Sequence, residues 1–277
     1  MSKLLIKVNN LDIFKYPSIN KCDGFILAVK DFSYLFGMSF TIDEIKNIKN
    51  KYKDKEIFVC ANKLIFNSEL SDYKTCLTKL DELNLSGIIV GDIAGITYNL
   101  NTPIILDQMH LNNSYYTINH YYNNNVKGVV LTNDITKEEI NEIRENTKAI
   151  LFKKVFGYPH LSTSNRNLIS NYKNKFNISN KSKTYSISEN NSNSYYKIFE
   201  DDFGCHILGS KPLNLLNINL DVNYKIFDDL FINDILLALD SFINNEVDNY
   251  EKIKEKYNTT SGFINEKTIY KVKKDEK

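Results

Sequence analysis

Ile57-Phe58-Val59-Cys60-Ala61, the amphipathic stretch Asp72 to Asn84, and Gly87-Ile88-Ile89-Val90 follow one another within residues 57–90. Two short apolar, β-branched runs on either side of a helix-length segment make one strand-helix-strand unit. Runs that are apolar at every position, rather than at alternate ones, suit strands buried on both faces, as in a parallel sheet. The same kind of run recurs at Leu4 to Val8, Phe25 to Val29, Ile104 to Leu106, Gly128 to Leu131 and Ala149 to Val155. Between them lie two capping boxes, Thr41-x-x-Glu44 and Thr136-x-x-Glu139, in which hydroxyl and carboxylate satisfy orphan helix amides reciprocally. Ser114 to Asn124 reads as a further helix. Alternation at this spacing predicts right-handed βαβ units.

Seven strands within the first 155 residues exceed a flavodoxin-like count. They predict an α/β fold of the TIM-like (β/α)8 type, or an incomplete version of one. The eighth strand is expected at Tyr224 to Phe227, with the apolar segment Phe231 to Asn244 as a helix closing the ring. The expected organisation is barrel strands one to seven in 1–156, an insertion in 157–222, barrel closure and a C-terminal helix in 223–258, and a tail in 259–277. Hairpin strands within the insertion are read at Thr184 to Ser188, Tyr195 to Phe199 and Cys205 to Leu208. An insertion after strand seven emerges at the C-terminal face of such a barrel, where active sites lie.

The 277 residues are 42% hydrophobic, and a chain of this length buries enough surface to need no disulfide or metal for its core. Cys22, Cys60, Cys76 and Cys205 form no C-x-x-C pair, which argues against a zinc ribbon and suits a reducing compartment. No run approaches the roughly 20 apolar residues of a membrane helix, and Met1 to Asn10 lacks a signal-peptide layout. A cytoplasmic chain is expected.

Lys+Arg number 35 against 34 Asp+Glu, but the charges are segregated. From Asn146 to Ser188 there are eight cations (Lys148, Lys153, Lys154, Arg166, Lys173, Lys175, Lys181, Lys183) and no carboxylate. From Phe199 to Glu251 eleven acids face only Lys211 and Lys225. The basic stretch is interleaved with Phe156, Tyr158, Tyr172, Phe176 and Tyr185. Cations neutralise phosphates and rings stack on unpaired bases, so this pairing points to nucleic acid. The alternative is that the acidic C-terminal part, of this chain or of another subunit, packs on the basic insertion. Arg144 and Arg166 are the only arginines, which marks each as a position where a planar fork matters.

Walker A, G-x-G-x-x-G, H-E-x-x-H and G-x-S-x-G motifs are absent. The histidines His110, His120, His160 and His206 show no i, i+4 pair, so no metal site is expected. Asp92, directly after the fourth strand, is either a site residue or a helix cap. Asp107, Gln108 and His110 follow the fifth strand, as pocket lining or as loop residues. Ser162 to Arg166 offers hydroxyls, but the sequence names no base to activate them, which favours a loop hydrogen-bonding role.

Residues 155–172, VFGYPHLSTSNRNLISNY, resemble the signature of the collagenase-like U-32 peptidase family. The second half of that signature is similar to Phe199-Glu200-Asp201-Asp202-Phe203-Gly204-Cys205-His206-Ile207-Leu208-Gly209-Ser210, and looser likeness covers Asn62 to Asn67, Gly91-Asp92 and Tyr224 to Asp228. The resemblance implies a role in oxygen-independent hydroxylation of RNA or of a quinone precursor. Catalytic members hold an iron-sulfur cluster on four cysteines. Here the first two of those positions fall on His160 and Asn167, so the resemblance implies no cluster in this chain, one His and one Asn being no substitute for thiolates. Arg166 falls on the signature arginine. The pattern is similar to the smaller member of paired proteins that install 5-hydroxyuridine at the transfer-RNA wobble position. That likeness implies a longer four-cysteine partner carrying the iron-sulfur cluster, transfer RNA as ligand, and prephenate, a dianion, as a ligand of the complex.

The resulting expectation is an accessory or non-catalytic subunit of transfer-RNA hydroxylation. RNA contacts are expected from Lys153, Lys154, Arg166, Tyr172, Lys173, Lys175, Lys181 and Lys183, and Arg166, His160, Asp92 and His206 are the candidates for any residual chemistry. A collagenase-like peptidase and a purely structural partner of a longer homologue are the alternative readings.

Overall fold

The computed structural model describes residues 2–188, 190, 193–232, 236–244 and 250–266. Seven strands pair in chain order, all parallel: β1 (Lys3–Lys7), β2 (Gly24–Ala28), β3 (Glu56–Ala61), β4 (Gly87–Val90), β5 (Ile104–Leu106), β6 (Val126–Val130) and β7 (Ile150–Gly157). The ring closes through Tyr224–Asp228, numbered β13 because five insertion strands precede it, which runs parallel between β7 and β1. Among the described residues the barrel is therefore complete, with eight parallel strands, rather than an open version of itself.

The apolar runs are continuous because alternate residues serve two cores. Leu5, Ile26, Phe58, Cys60, Ile89, Ile105, Val130, Phe152 and Ile226 fill the barrel interior. Their neighbours Phe25, Leu27, Val59, Ile88, Val90, Leu151 and Phe227 point outward into the helical layer. Both capping boxes form: α1 (Ile42–Lys51) starts at Thr41 with Glu44, and α4 (Lys137–Asn146) at Thr136 with Glu139. Helices α2 (Leu70–Asp81) and α3 (Tyr115–Asn123) fill the same layer, the latter capped by the Ser114 hydroxyl. After β1 and β4 only 3-10 turns follow, at Leu11–Lys15, Pro17–Lys21 and Ile93–Tyr98.

Between β7 and β13 the chain builds β8 (His160–Ser164), α5 (Leu168–Phe176), β9 (Thr184–Ile187), β10 (Tyr196–Asp201), β11 (Gly204–Leu208) and the short β12 (Leu213–Asn214). The first four of these strands form an antiparallel sheet in the order β8-β11-β10-β9, and α5 packs on it through Ile169 against Ile198 and Cys205. Tyr34 and Leu35, from the loop after β2, pack with Phe199 and Leu208, which seats the sheet over the barrel's C-terminal mouth. The exit from β7 is tight. Gly157 has φ +114°, and a Cβ there would lie 2.1 Å from the Asp228 carbonyl oxygen, so a bare backbone is required.

Three expectations are corrected. The segment Ser162 to Arg166 is not a loop throughout, since β8 runs to Ser164 and pairs with β11. Its polar residues suit a strand whose side chains are half-exposed. The helix expected over Phe231 to Asn244 is present as α6 (Leu236–Asn244), but Phe231 and Ile232 lie outside it: Phe231 has φ 62°, and Ile232 N donates to Asp229 O in a turn, while 233–235 lie outside the described residues. Residues 259–266, read as the start of a tail, pack into the fold after α7 (Tyr250–Tyr257). There Ile264 is buried, its carbonyl accepts from Lys137 N at 2.8 Å, and Thr260 bridges to Leu213. The rest of the expected tail, 267–277, lies outside the described residues.

Candidate functional site

The ends of the barrel strands bring three charged side chains inside the mouth. Lys7 and Asp228 are register partners in β1 and β13, and the irregularity between Ile226 and Phe227 aligns β7 so that Lys154 reaches the same carboxylate. Asp228 Oδ2 lies 3.1 Å from Lys7 Nζ and 2.8 Å from Lys154 Nζ. Asn9 Nδ2 donates to Asp228 Oδ1 at 3.0 Å and also to Asp229 Oδ1. Lys7 Nζ further donates to the Leu35 carbonyl, and Lys154 Nζ to the Tyr158 carbonyl at 3.1 Å. Burial alone would raise the Asp228 carboxyl, but Lys154 and Lys7 outweigh it and hold it well below the usual carboxylate range. Burial lowers the Lys7 ammonium, against the pull of Asp228. Beside them, burial lifts Asp229 to about 6 and raises Asp107.

These groups surround a cavity of about 110 Å³. Ile26, Ile89, Val130 and Ile226 form its apolar floor, and Lys7, Asp107, Lys154, His160 and Asp228 line its walls. Leu161 and Leu208 of the small sheet cover it, with His110 at the side. Asp107 and His110 are thus pocket lining, the first of the two readings offered by the sequence. His110 also stands 3.1 Å from Asp134 Oδ2 and 3.3 Å from the Leu161 carbonyl oxygen, joining two rim loops to β8.

The other expected site residues fall in different places. Asp92 is a cap: its oxygens accept Ala94 N at 2.8 Å and Ile65 N at 3.1 Å, leaving its carboxylate committed to loop backbone. His160 and His206 meet through Thr163 beneath the small sheet. Arg166 is exposed in the turn between β8 and α5. Arg144, the other arginine, has a structural task, donating to Asn223 Oδ1 at 3.1 Å beside Asp221.

Two of the expected RNA contacts are corrected. Lys153 is 1% exposed, and its ammonium donates to the Thr132 carbonyl and Asn133 Oδ1. Lys154, its neighbour on β7, points the opposite way into the cavity. A strand sends successive side chains to opposite faces, and both faces of a barrel strand are covered. Burial pushes the Lys153 ammonium down to about 7, with Asp134 opposing.

The remaining basic residues share one surface. Tyr172 and Phe176 are 59% and 54% exposed, their ring centroids 4.6 Å apart, and Leu168 one turn earlier continues the stripe. Arg166, Lys175, Lys181 and Lys183 are exposed around it. Lys173 is half-buried, lies over the Tyr185 ring and donates to the Ser182 carbonyl. Among the described residues no carboxylate forms an ion pair with any of these cations. Several acids of the C-terminal part have other partners: Glu200 accepts Ile169 N and Ser170 N at the start of α5, and Asp201 faces His206.

An iron-sulfur cluster of the kind implied by the signature does not fit these residues. His160 faces the cavity, Asn167 is exposed before α5, and the cysteines are buried in three separate apolar clusters. Lys7, Asp228, Tyr34 and Asp201 were not read as site residues from the sequence, and Thr163 only as one of the hydroxyls of Ser162 to Arg166. The available signal was charge at the ends of apolar strands, where Lys7, Lys154 and Asp228 interrupt otherwise buried runs.

The sequence profile of peptidase family U32 matches residues 10–219. The "tRNA hydroxylation protein P2" of Bacillus subtilis (strain 168) is 24% identical over 187 residues, covering 63% of this chain. The matched stretch spans 60% of that relative's length. The solved structure of the U32 peptidase Mk0906 superposes with a TM-score of 0.51 at 12% identity, over 82% of this chain and 92% of that one, a likeness of fold.

Proposed function

Since the chain belongs to peptidase family U32, we propose that it is an RNA-binding accessory subunit in the 5-hydroxylation of transfer-RNA wobble uridine. It acts in the cytoplasm beside a longer family member that carries the iron-sulfur cluster. The transfer-RNA hydroxylation for which the Bacillus subtilis relative is named supports the pathway. The observation that carries RNA binding is the outer face of α5. Leu168, Tyr172 and Phe176 recur every four residues and are exposed, amid cations, in a stretch with no carboxylate from Asn146 to Ser188. Rings of this kind accept unstacked bases, and the surrounding cations neutralise backbone phosphates. Among the described residues, no helix is long and apolar enough to cross a membrane.

Titrating the purified chain with unmodified transfer RNA tests this reading. Binding should weaken steeply with salt, and Tyr172→Ala or Phe176→Ala should each cost about tenfold, the lower part of the range for one stacked base. Binding that is insensitive to both substitutions, or absent at low salt, overturns it.

A further inference from the structure

Two histidines that are far apart in sequence meet across the small sheet. The register of β8 on β11 sets Thr163 opposite His206. Thr163 Oγ1 lies 2.9 Å from His206 Nδ1 and 2.8 Å from His160 Nε2. On the far side, His206 Nε2 is 3.1 Å from Asp201 Oδ1, an oxygen that also accepts Phe203 N in the hairpin turn. His160 Nε2 is also 2.9 Å from the Ser162 carbonyl oxygen, and its Nδ1 touches the Met109 sulfur. His206 is fully buried and stacked on Tyr34, at 5.4 Å between centroids.

Groups that have no proton fix the direction of each bond. The Asp201 carboxylate requires the proton of neutral His206 on Nε2, so His206 Nδ1 accepts from the Thr163 hydroxyl. The Thr163 oxygen then accepts from His160 Nε2–H, the same proton that the Ser162 carbonyl requires. His160 Nδ1 is left as a lone pair at the cavity wall, covered by the Met109 thioether, which has no proton to give and which a ligand reaching this nitrogen must displace.

We propose that His160, Thr163, His206 and Asp201 form a proton relay, through which His160 Nδ1 takes a proton from a hydroxyl or amine of a small molecule held in the barrel-mouth cavity. The ligand's X–H bond breaks, X keeps the electron pair, and an N–H bond forms at His160 Nδ1. The Nε2 proton of His160 passes to Thr163 Oγ1 as the original hydroxyl proton passes to His206 Nδ1. One proton has left the ligand, His160 and Thr163 are again neutral, and the positive charge rests on His206 beside the Asp201 carboxylate. Burial, with His206, Lys154 and Lys7 nearby, pulls the His160 imidazole down to about 3 despite the Ser162 carbonyl, so the charge does not remain there. The charged or titratable groups facing the pair are Asp201 from β10, Tyr34 from the loop after β2, Lys7 from β1 and Lys154 from β7, with Asp228 of β13 and Asp107 and His110 after β5 on the same cavity. Engagement of the Thr163 oxygen by both imidazoles argues for relay rather than for a free nucleophile.

Heteronuclear NMR of the full chain with labelled histidines, followed through an acid titration, tests the relay without any ligand and independently of RNA binding. At neutral pH both His160 and His206 should carry their proton on Nε2. As His206 charges, His160 should switch to the Nδ1–H form in the wild type and in Thr163→Ser, and should keep Nε2–H in Thr163→Val. A wild-type His160 that bears Nδ1–H at neutral pH, or that does not change while His206 charges, overturns the proposal whether or not Thr163→Val folds.

Discussion

Asp228 lies between two ammonium groups, 3.1 Å from Lys7 and 2.8 Å from Lys154, with 2% of its surface exposed. Replacing it with Asn leaves two like charges facing each other without their counter-ion, and should destabilise the protein by about 3–5 kcal/mol in urea denaturation. Its folded-state carboxyl is held below its unfolded value of about 3.9. The stabilisation is therefore complete above about pH 4 and fades as pH falls below it. A wild-type acid transition that is unchanged in Asp228→Asn contradicts this account. Lys153 acts in the same direction in a higher pH window, although here it is the charged form that the fold disfavours. With a folded pKa of about 7 against roughly 10.4 unfolded, the unfolded chain binds more protons between these values, so stability rises with pH across that window. Lys153→Met should flatten this rise in melting temperature, and an undiminished slope contradicts the burial. Neither role was legible in the sequence, because Lys153 and Lys154 are adjacent and chemically identical there. Only the strand's two-residue period, and the covering of both barrel faces, separates one from the other and both from solvent.

The capping boxes were legible, since Thr41 with Glu44 and Thr136 with Glu139 are local chemistry that needs no tertiary partner. Thr136 is 2% exposed, and Thr136→Ala should cost about 1–2 kcal/mol, read as a lowered denaturation midpoint. A midpoint shift no larger than that of an exposed control substitution such as Lys127→Ala would remove the cap from the account. The apolar strands were legible for the same local reason, as runs that only a doubly covered strand explains. Strand β8 and helix α5 were missed because His160–Ser164 has a single apolar residue, Leu161, and α5 buries only Ile169, so neither shows a full apolar period. The tight exit from β7 is another tertiary feature. Gly157 combines φ +114° with backbone contact to Asp228, and Gly157→Ala should destabilise by more than about 4 kcal/mol, or prevent folding. A well-folded Gly157→Ala chain with near-native stability contradicts the close approach.

At the scale of the whole molecule, a balance of 35 cations against 34 acids conceals an ordered division of labour. Some charges are spent internally, on the Asp228 cluster, on Glu200 at the start of α5 and on Arg144 beneath the barrel. The cations of α5 and the following loop remain outside, with Tyr172 and Phe176. The composition showed the segregation, and the structure sorted internal charges from external ones. Arg166, at the signature position and exposed, should matter more for RNA binding than any single Lys in the insertion, since a planar fork engages phosphate with two bonds. Equal small losses for Arg166→Ala and each Lys→Ala would instead indicate a diffuse electrostatic surface. Participation in wobble-uridine hydroxylation is tested by nucleoside mass spectrometry of transfer RNA from a strain lacking this chain. Loss of 5-hydroxyuridine and its derivatives is expected, restored by the wild type but not by the Tyr172→Ala/Phe176→Ala double variant. Unchanged levels of those nucleosides in the deletion strain would contradict it.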